Sequence, residues 1–311
     1  MRSKNYGVIK DTLWVQKNGR TNDKKSVFYS FNSIFEENSS QEELFTSTTM
    51  PLVKEFLCGR NNLVFSYGIT SSGKSYTMRG TVNSPGLIPY SLLSVFETIS
   101  PFCSSDIPTC KISKFCDVRR LNDQERAREK ALRENSVSMR LYNASEEILS
   151  QISCQNLFED DEDAFTDEDE CSIWVSFFEI YNEKFFDLLR PGTEMQVVTS
   201  EKNYYLKEAT QVHVTSAVNA FAVFLKGQEN LHMDATNLNN HSSRSHSVFT
   251  LSLLKTNRIT KQTSISKLCF ADLAGNERVK KIGLGKIMET TNINKSLMTL
   301  SRCIQELMKK S

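Results

Sequence analysis

The chain has 311 residues, enough for one large domain or two small ones. Its 38 lysines and arginines balance 37 aspartates and glutamates, so the charge gives no reason to expect a nucleic-acid or membrane partner. The sequence has neither a signal-peptide core nor an apolar run of the roughly 18 residues that span a bilayer. None of the eight cysteines lies in a C-x-x-C pair, which favours a reduced intracellular protein without a zinc site.

The N-terminal part of the chain predicts short strands, then a helix, then a buried strand. Alternating apolar residues predict the strands within residues 8–35. Ser40, with Glu43 three residues later, forms a capping box that opens a helix. We expect this helix to end near Gly59. The apolar run 63–67 predicts a buried strand after it.

Residues 105–170 differ in character from the rest and predict a long insertion. The charged stretch 117–134 favours a helix but offers few apolar positions. Acidic runs follow at 159–163 and 167–170. We therefore expect an inserted loop that is partly disordered, with its acidic runs in solvent.

Regular structure is expected to return with an apolar, aromatic strand at 173–181. Further strands are predicted at 248–254 and 268–271. A closing helix is expected from about Glu289, and its apolar residues form one helical stripe. These residues are Ile293, Leu297, Leu300, Ile304 and Leu307. Strands that alternate with helices predict an α/β fold with a largely parallel or mixed sheet.

Eight consecutive residues match the phosphate-binding pattern G-x-x-x-x-G-K-[ST]. They are Gly68, Ile69, Thr70, Ser71, Ser72, Gly73, Lys74 and Ser75. The glycines let backbone N–H groups point at phosphates, and the helix that follows adds its positive end. Lys74 can reach the β- and γ-phosphates, and the Ser75 hydroxyl can coordinate Mg²⁺. A surface turn with an incidental lysine is the competing interpretation, which the preceding strand disfavours.

Two further segments offer groups that nucleotide hydrolysis needs. Asp272 follows a predicted strand and Gly275 comes three residues later, which gives D-x-x-G. An acid at a strand end can reach Mg²⁺ through water, and the glycine N–H can meet a γ-phosphate. Residues 239–246 bring three hydroxyls and an arginine together, as suits a loop that senses phosphate and Mg²⁺. Taken alone, either segment also fits an ordinary polar turn or loop.

In combination these segments resemble the kinesin motor family. The family's forms G-x-T-x-S-G-K-[ST], N-x-x-S-S-R-S-H and D-L-A-G-x-E-R correspond to residues 68–75, 239–246 and 272–278. Residues 178–183 and 292–297 also agree with it. The resemblance implies a P-loop NTPase fold of kinesin motor type, with a central mixed β-sheet flanked by helices. One partial motor domain would span 1–311, incomplete at both ends and interrupted by the insertion at about 105–170.

The long insertion indicates a particular class within this family. Together with residues 237–239 and 296–300, it resembles the sixth kinesin class, the mitotic kinesin-like proteins of the central spindle and cytokinesis. The implied function is an ATP-hydrolysing, microtubule-binding motor core, located in the cytoplasm on the cytoskeleton, at the spindle midzone or midbody. The full-length form would dimerise through a coiled coil outside this sequence.

The resemblance also implies a role for each matching residue. We call residues 239–246 the first switch and residues 272–278 the second switch. ATP would lie on the phosphate loop, with its adenine against Tyr76, and would be contacted by Asn239 and Ser242. Ser75 and Ser243 would hold Mg²⁺, with Asp272 linked to the ion through water. Gly275 would bind the γ-phosphate, while Arg244 and Glu277 would pair to close the site and order the attacking water.

The implied partner is the microtubule, whose acidic surface attracts lysines. The candidate contacts are Lys280, Lys281, Lys286, Lys295 and, on the other side, Lys202. Solvated surface charges are the competing interpretation of each.

Several departures from the family leave alternatives open. The second switch carries Asn276 where the family has serine, and the loop 278–289 is about two residues shorter. The family's first strand and its elements after the closing helix do not match, so we expect unpaired backbone edges in the sheet. One alternative is a kinesin-like module that binds nucleotide and microtubules without productive turnover. Another is a P-loop kinase for a small molecule, which would need an Arg-rich lid and an acceptor pocket.

Overall fold

The computed structural model describes most of the chain. The described residues are 6–9, 12–18, 24–113, 117–152, 165–199, 204–207, 209–235, 244–276, 295–300 and 302–303. The strands are β1 (Tyr6–Ile9), β2 (Thr12–Asn18), β3 (Lys24–Ser30), β4 (Asn62–Ser66), β5 (Gly80–Thr81), β6 (Ser84–Pro85), β7 (Cys110–Ile112), β8 (Val118–Arg120), β9 (Asp169–Tyr181), β10 (Lys184–Asp187), β11 (Glu194–Thr199), β12 (Tyr204–Lys207), β13 (Val212–Val214), β14 (His246–Asn257) and β15 (Thr263–Asp272). The helices are α1 (Gln41–Leu44), α2 (Met50–Leu57), α3 (Lys74–Arg79), α4 (Leu87–Ile99), α5 (Asp123–Ser136), α6 (Met139–Leu149) and α7 (Ala217–Ala235), with a π-turn (Phe45–Thr49) between α1 and α2 and a 3₁₀ turn (Ser100–Phe102) after α4.

A mixed sheet forms the centre of the structure, as the alternation of strands and helices predicted. Its order is β12-β11-β10-β9-β14-β15-β4, with β13 alongside β9. β15 and β4 run parallel, and the other paired strands of this sheet are antiparallel. Because β4 and β15 end at the same edge, the segments that follow them meet there. This edge positions the candidate site.

The main core lies between one face of the sheet and the helices that cover it. Phe177 on β9 and Phe249 on β14 point to this face and meet edge to face, with ring centroids 5.6 Å apart. Phe224 of α7 packs on both rings, at 5.2 Å and 5.1 Å. α2, α4 and α6 contribute further buried residues to the same cluster. The sheet beneath the site is therefore a packed platform.

β4 differs from its predicted environment. A strand forms within the run 63–67 as expected, but Leu63 and Phe65 are 53% and 40% exposed, so the prediction of a buried strand is wrong. Among the described residues β4 pairs with β15 alone, and β1, β2 and β3 form a separate sheet. One edge of β4 is therefore open, in agreement with the expected unpaired backbone edge.

The helical region before β4 starts and ends as predicted. Ser40 caps α1, its hydroxyl accepting a hydrogen bond from the Glu43 N–H at 3.0 Å. The helical path continues through the π-turn into α2, and Gly59 follows it with φ +92°. That conformation favours glycine and ends a helix without strain.

Much of the predicted insertion is folded. It contains the hairpin of β7 and β8 and the helices α5 and α6; α6 packs on α7, and α5 contacts β13. The second acidic run was predicted to lie in solvent, but Asp169 within it begins β9 and is buried, and its carboxylate accepts the Thr166 N–H at 3.0 Å. That prediction is wrong for Asp169. The first acidic run, 159–163, lies outside the described residues.

Part of the predicted closing helix is described. Residues 295–300 are helical, and Leu297 is buried against Ala271, Leu273 and Ala274 at the end of β15. Leu300 packs on the same cluster, while the rest of the predicted stripe lies outside the described residues.

Among the helices that the structure describes, none has the length and apolar character that crossing a membrane requires.

Candidate functional site

The phosphate loop curls between β4 and α3. Lys74 folds back across it, and its Nζ donates to the carbonyl oxygens of Gly68 at 3.0 Å and Ile69 at 2.9 Å. Gly73 has φ +95°, a conformation that a side chain would strain. The first six residues that the pattern selected lie between β4 and α3, and Lys74 and Ser75 are the first two residues of α3. α3 has only six residues, so its dipole is weak. The backbone N–H groups and Lys74 would therefore stabilise bound phosphates more than the helix dipole would.

Asp272 lies where the pairing of β15 with β4 places it. It is the register partner of Ser66, the last residue of β4. One carboxylate oxygen accepts from Ser66 Oγ at 2.8 Å, and the other accepts from Ser75 Oγ at 2.5 Å. Ser75 and Asp272 are 197 residues apart in the sequence. The fold thus joins two residues that the sequence analysis had selected separately.

These oxygens fit a Mg²⁺ ion. A serine hydroxyl and an aspartate carboxylate are the hard oxygen donors that Mg²⁺ prefers. Ser75 and Asp272 provide them within 2.5 Å of each other, at the mouth of the phosphate loop. Within the described part of the chain, no group of three or more His, Cys, Asp or Glu side chains is arranged for a metal. Ser75 and Asp272 supply only some of the six oxygens that Mg²⁺ requires, and nucleotide phosphates and water would supply the others.

The second switch is held beside the phosphate loop as far as it is described. The Leu273 N–H donates to the Ser66 carbonyl, and the Asn276 N–H donates to the Gly68 carbonyl, each at 3.4 Å. Gly275 lies between Leu273 and Asn276, which these hydrogen bonds hold beside the phosphate loop. Its predicted role there is to bind the γ-phosphate. Glu277 lies outside the described residues.

His246 is a site residue that the sequence analysis did not select. It is the last residue of the first switch and the first residue of β14, and its Nδ1 accepts the Ala274 N–H at 3.0 Å. Its Nε2 lies 2.8 Å from Ser296 Oγ. Burial lowers the pKa of this histidine, which favours the neutral ring. Because Nδ1 accepts, Nε2 carries the proton and donates to Ser296.

The first switch is described only at its end. Arg244 is half-buried, while Ser245 is buried and its hydroxyl finds no partner among the described residues. A cavity of about 180 Å³ runs from Ser75, Asp272 and Ser245 down to the aromatic core. Asn239, Ser242 and Ser243 lie outside the described residues, so their predicted contacts stay predictions.

Two other predicted residues are described at the margins. The Tyr76 ring is 49% exposed, and its hydroxyl lies 2.9 Å from Ser84 Oγ, which leaves ring surface open for a base. Lys295 pairs with Glu183 at 2.6 Å on an exposed surface. The remaining lysines predicted to contact microtubules lie outside the described residues: Lys202, Lys280, Lys281 and Lys286.

The sequence did not predict a role for Ser66 or for His246. Ser66 was in principle detectable, because residues that end neighbouring parallel strands meet at one edge. His246 offered no comparable signal, since its two partners lie 28 and 50 residues away.

Comparison with known proteins assigns this chain to a family. Residues 3–311 match the kinesin motor domain. The chain is 34% identical over 318 residues to the kinesin-like protein KIF23 of Mus musculus, covering 93% of this chain and 33% of that protein. It is 29% identical over 353 residues to the kinesin-like protein KIF20A of Homo sapiens, covering 96% of this chain and 38% of that protein. The chain thus spans about a third of the length of these relatives.

A solved structure described as kinesin 6 aligns with 99% of this chain and 80% of its own, with a TM-score of 0.75 and 27% identity. A fast kinesin aligns with 93% of this chain and 64% of its own, with a TM-score of 0.64 and 26% identity. These matches confirm the predicted resemblance to the kinesin motor family and to its sixth class. The phosphate loop, the Asp272 contact and the second switch all lie within the matched residues, and the chain is a member of the kinesin motor domain family.

Proposed function

We propose that this chain is the ATP-hydrolysing, microtubule-binding motor core of a mitotic or cytokinetic kinesin. The observation that carries the proposal is the contact between Ser75 and Asp272 at 2.5 Å. A phosphate loop alone binds nucleotide, whereas hydrolysis also needs an acid and a mobile switch beside the phosphates. Asp272 and the described part of the second switch lie beside the loop, which supports the proposal.

The phosphate loop would bind the ATP phosphates. Its N–H groups would contact them, and Lys74 would exchange its contacts to Gly68 and Ile69 for phosphate oxygens. Tyr76 would lie against the adenine, and Asn239 and Ser242 would contact the nucleotide from the first switch. Bound Mg²⁺ would neutralise phosphate charge; Ser75 and Ser243 would hold it, and Asp272 would contact it through water.

The two switches would supply the catalytic groups. Gly275 would donate its N–H to the γ-phosphate as the second switch closes. Arg244 would pair with Glu277, shut the site and hold the attacking water in line. This pairing rests on the resemblance, because Glu277 lies outside the described residues.

The microtubule would be bound by basic residues near the closing helix. Lys295 lies at the start of the described helical residues 295–300. Its ion pair with Glu183 is exposed, and such pairs add little stability. A carboxylate of tubulin would therefore replace Glu183 at low cost. Lys280, Lys281 and Lys286 would extend the same surface, and Lys202 would contact the microtubule from the other side.

Cytoskeletal location and dimerisation concern the full-length protein. We infer a location on spindle microtubules, at the midzone or midbody, from similarity to mitotic kinesin-like relatives. Dimerisation would require a coiled coil outside this sequence.

Steady-state ATP turnover, measured with and without microtubules, tests the proposal. We expect strong stimulation by microtubules. Lys74→Ala is the matched control, since it removes the charge that contacts the phosphates, and it should abolish both nucleotide binding and turnover. Retained nucleotide affinity in this variant would refute the assignment of the phosphate loop.

Arg244→Ala separates binding from chemistry. It should leave nucleotide affinity within about twofold and stop hydrolysis, because the arginine acts only when the switches close. Undiminished turnover would exclude the closure of Arg244 on Glu277.

A second candidate is a kinesin-like module that binds nucleotide and microtubules without productive turnover. Among the residues that the structure describes, β4 pairs with β15 alone. This favours the module, because β4 leads directly into the phosphate loop and an unpaired edge holds that loop less firmly. Nucleotide binding and microtubule co-sedimentation without stimulated turnover would support this module over the motor.

A further inference from the structure

Asn276 ties the second switch to the beginning of the phosphate loop. Its side-chain Nδ2 lies 2.7 Å from the Tyr67 hydroxyl, and its backbone N–H donates to the Gly68 carbonyl at 3.4 Å. Tyr67 and Gly68 are the residues through which β4 enters the loop. The residue directly after Gly275 is thus held at two points.

The hydrogen bond between Asn276 and Tyr67 does not result from packing of Tyr67 in the core. The Tyr67 side chain is 59% exposed, so the ring is not fixed in position by burial. The other polar atom of the Asn276 amide, Oδ1, is buried and has no partner among the described residues. A hydroxyl both donates and accepts, so Tyr67 can pair with the amide in either of its orientations.

Asparagine has the reach that this bond requires. The amide nitrogen of Asn276 is one atom further from the backbone than a serine hydroxyl at the same position. If the backbone did not move, a serine at this position would be too short to form a hydrogen bond with the Tyr67 hydroxyl. The bond to Tyr67 therefore depends on having Asn276 where the family has serine in the second switch.

We propose that Asn276 is a positioning residue which, with the Tyr67 hydroxyl, holds the second switch beside the phosphate loop before nucleotide arrives. Gly275 is then already held close to where a γ-phosphate would bind. Binding a γ-phosphate would therefore not have to offset the entropy cost of ordering the second switch. A nucleotide that carries a γ-phosphate gains from this, and ADP does not. The inference rests on the nucleotide site proposed above.

The test compares two nucleotides on three variants: Asn276→Ser, Tyr67→Phe and the double variant. The Kd of a non-hydrolysable ATP analogue and the Kd of ADP are measured with Mg²⁺, by displacement of a fluorescent nucleotide. Each single variant should bind the analogue about two- to tenfold more weakly, the effect of losing one neutral hydrogen bond. The double variant should match the single variants, because both substitutions break the same bond. The affinity for ADP should not change.

Tyr142→Phe is the matched control. It also removes a tyrosine hydroxyl, one carried by α6 of the insertion rather than by the nucleotide site. It should leave both affinities unchanged.

Three outcomes would overturn the inference. Equal weakening of both nucleotides would mean that Asn276 only supports the fold. Additive losses in the double variant would mean that the two residues do not act through their mutual bond, and unchanged affinities would mean that the bond does not position the switch. A wild-type chain that binds neither nucleotide would instead refute the nucleotide site, and the inference with it.

Discussion

Replacement of His213 should change how the stability of the protein depends on pH. His213 lies on β13 and is 3% exposed, packed against the Trp174 ring with centroids 5.3 Å apart. Its Nδ1 lies 3.4 Å from an amino group of Arg133, which α5 of the insertion supplies. Burial, with a contribution from the Arg133 charge, lowers the pKa of His213 from 6.5 to about 3. The folded chain therefore keeps this ring neutral at a pH where the unfolded chain protonates it.

The sign and size of the effect follow from linkage. His213 lowers the free energy of unfolding only below about pH 6.5. As the pH falls from 6.5 towards 3, the unfolded state binds one more proton than the folded state, and stability is lost progressively. The loss is about 1.4 kcal/mol per pH unit, or about 2 kcal/mol of unfolding free energy between about pH 7.5 and about pH 5. An asparagine in place of His213 would keep an acceptor facing Arg133 but would not titrate.

The assay is urea denaturation of the wild-type chain and of His213→Asn at both pH values. The variant will be less stable at either pH, since it leaves space beside Trp174. Its loss of stability on acidification should nevertheless be smaller than that of the wild type by about 2 kcal/mol. Equal losses in the two proteins would refute the burial of His213, and with it the docking of α5 on β13.

Two further predictions concern packing and thiol chemistry. A Cβ added at Gly227 of α7 would lie 2.1 Å from Cδ1 of Phe177, so Gly227→Ala should destabilise the fold by about 1–3 kcal/mol; an unchanged urea midpoint would contradict the close packing of α7 on β9. Burial raises the pKa of the Cys171 thiol to about 12, whereas Cys58 is exposed. Iodoacetamide followed by mass spectrometry should therefore modify Cys58 at least about tenfold faster than Cys171, and similar rates would contradict that burial.

Features that depend on a few consecutive residues could be predicted from the sequence. The phosphate loop is one, because its glycines, Lys74 and Ser75 all act within eight positions. The cap at Ser40 is another, since its partner is three residues away. The α/β class followed similarly from local alternation, although β9 begins at Asp169, earlier than the apolar run indicated.

Features that depend on distant partners could not be predicted in the same way. Leu63 and Phe65 have the composition of a buried strand, yet their exposure depends on what lies beside β4. Residues 117–134 predicted a helix but offered few apolar positions with which it could pack. α5 nevertheless docks, with the Lys111–Glu129 pair at 2.5 Å and Lys111 over the Trp174 ring. Polar contacts of this kind have no sequence periodicity.

His246 connects the nucleotide side of the molecule to the helix that carries Lys295. It accepts the Ala274 N–H from the second switch and donates to Ser296, which neighbours Lys295. Leu297 in the same helix packs on Ala271, Leu273 and Ala274, so apolar contact and hydrogen bonds join the same two segments. A neutral ring is essential to this link, because a protonated Nδ1 cannot accept the Ala274 N–H. Any displacement of Ala274 relative to this helix would therefore have to break the His246 contacts or move the helix with it.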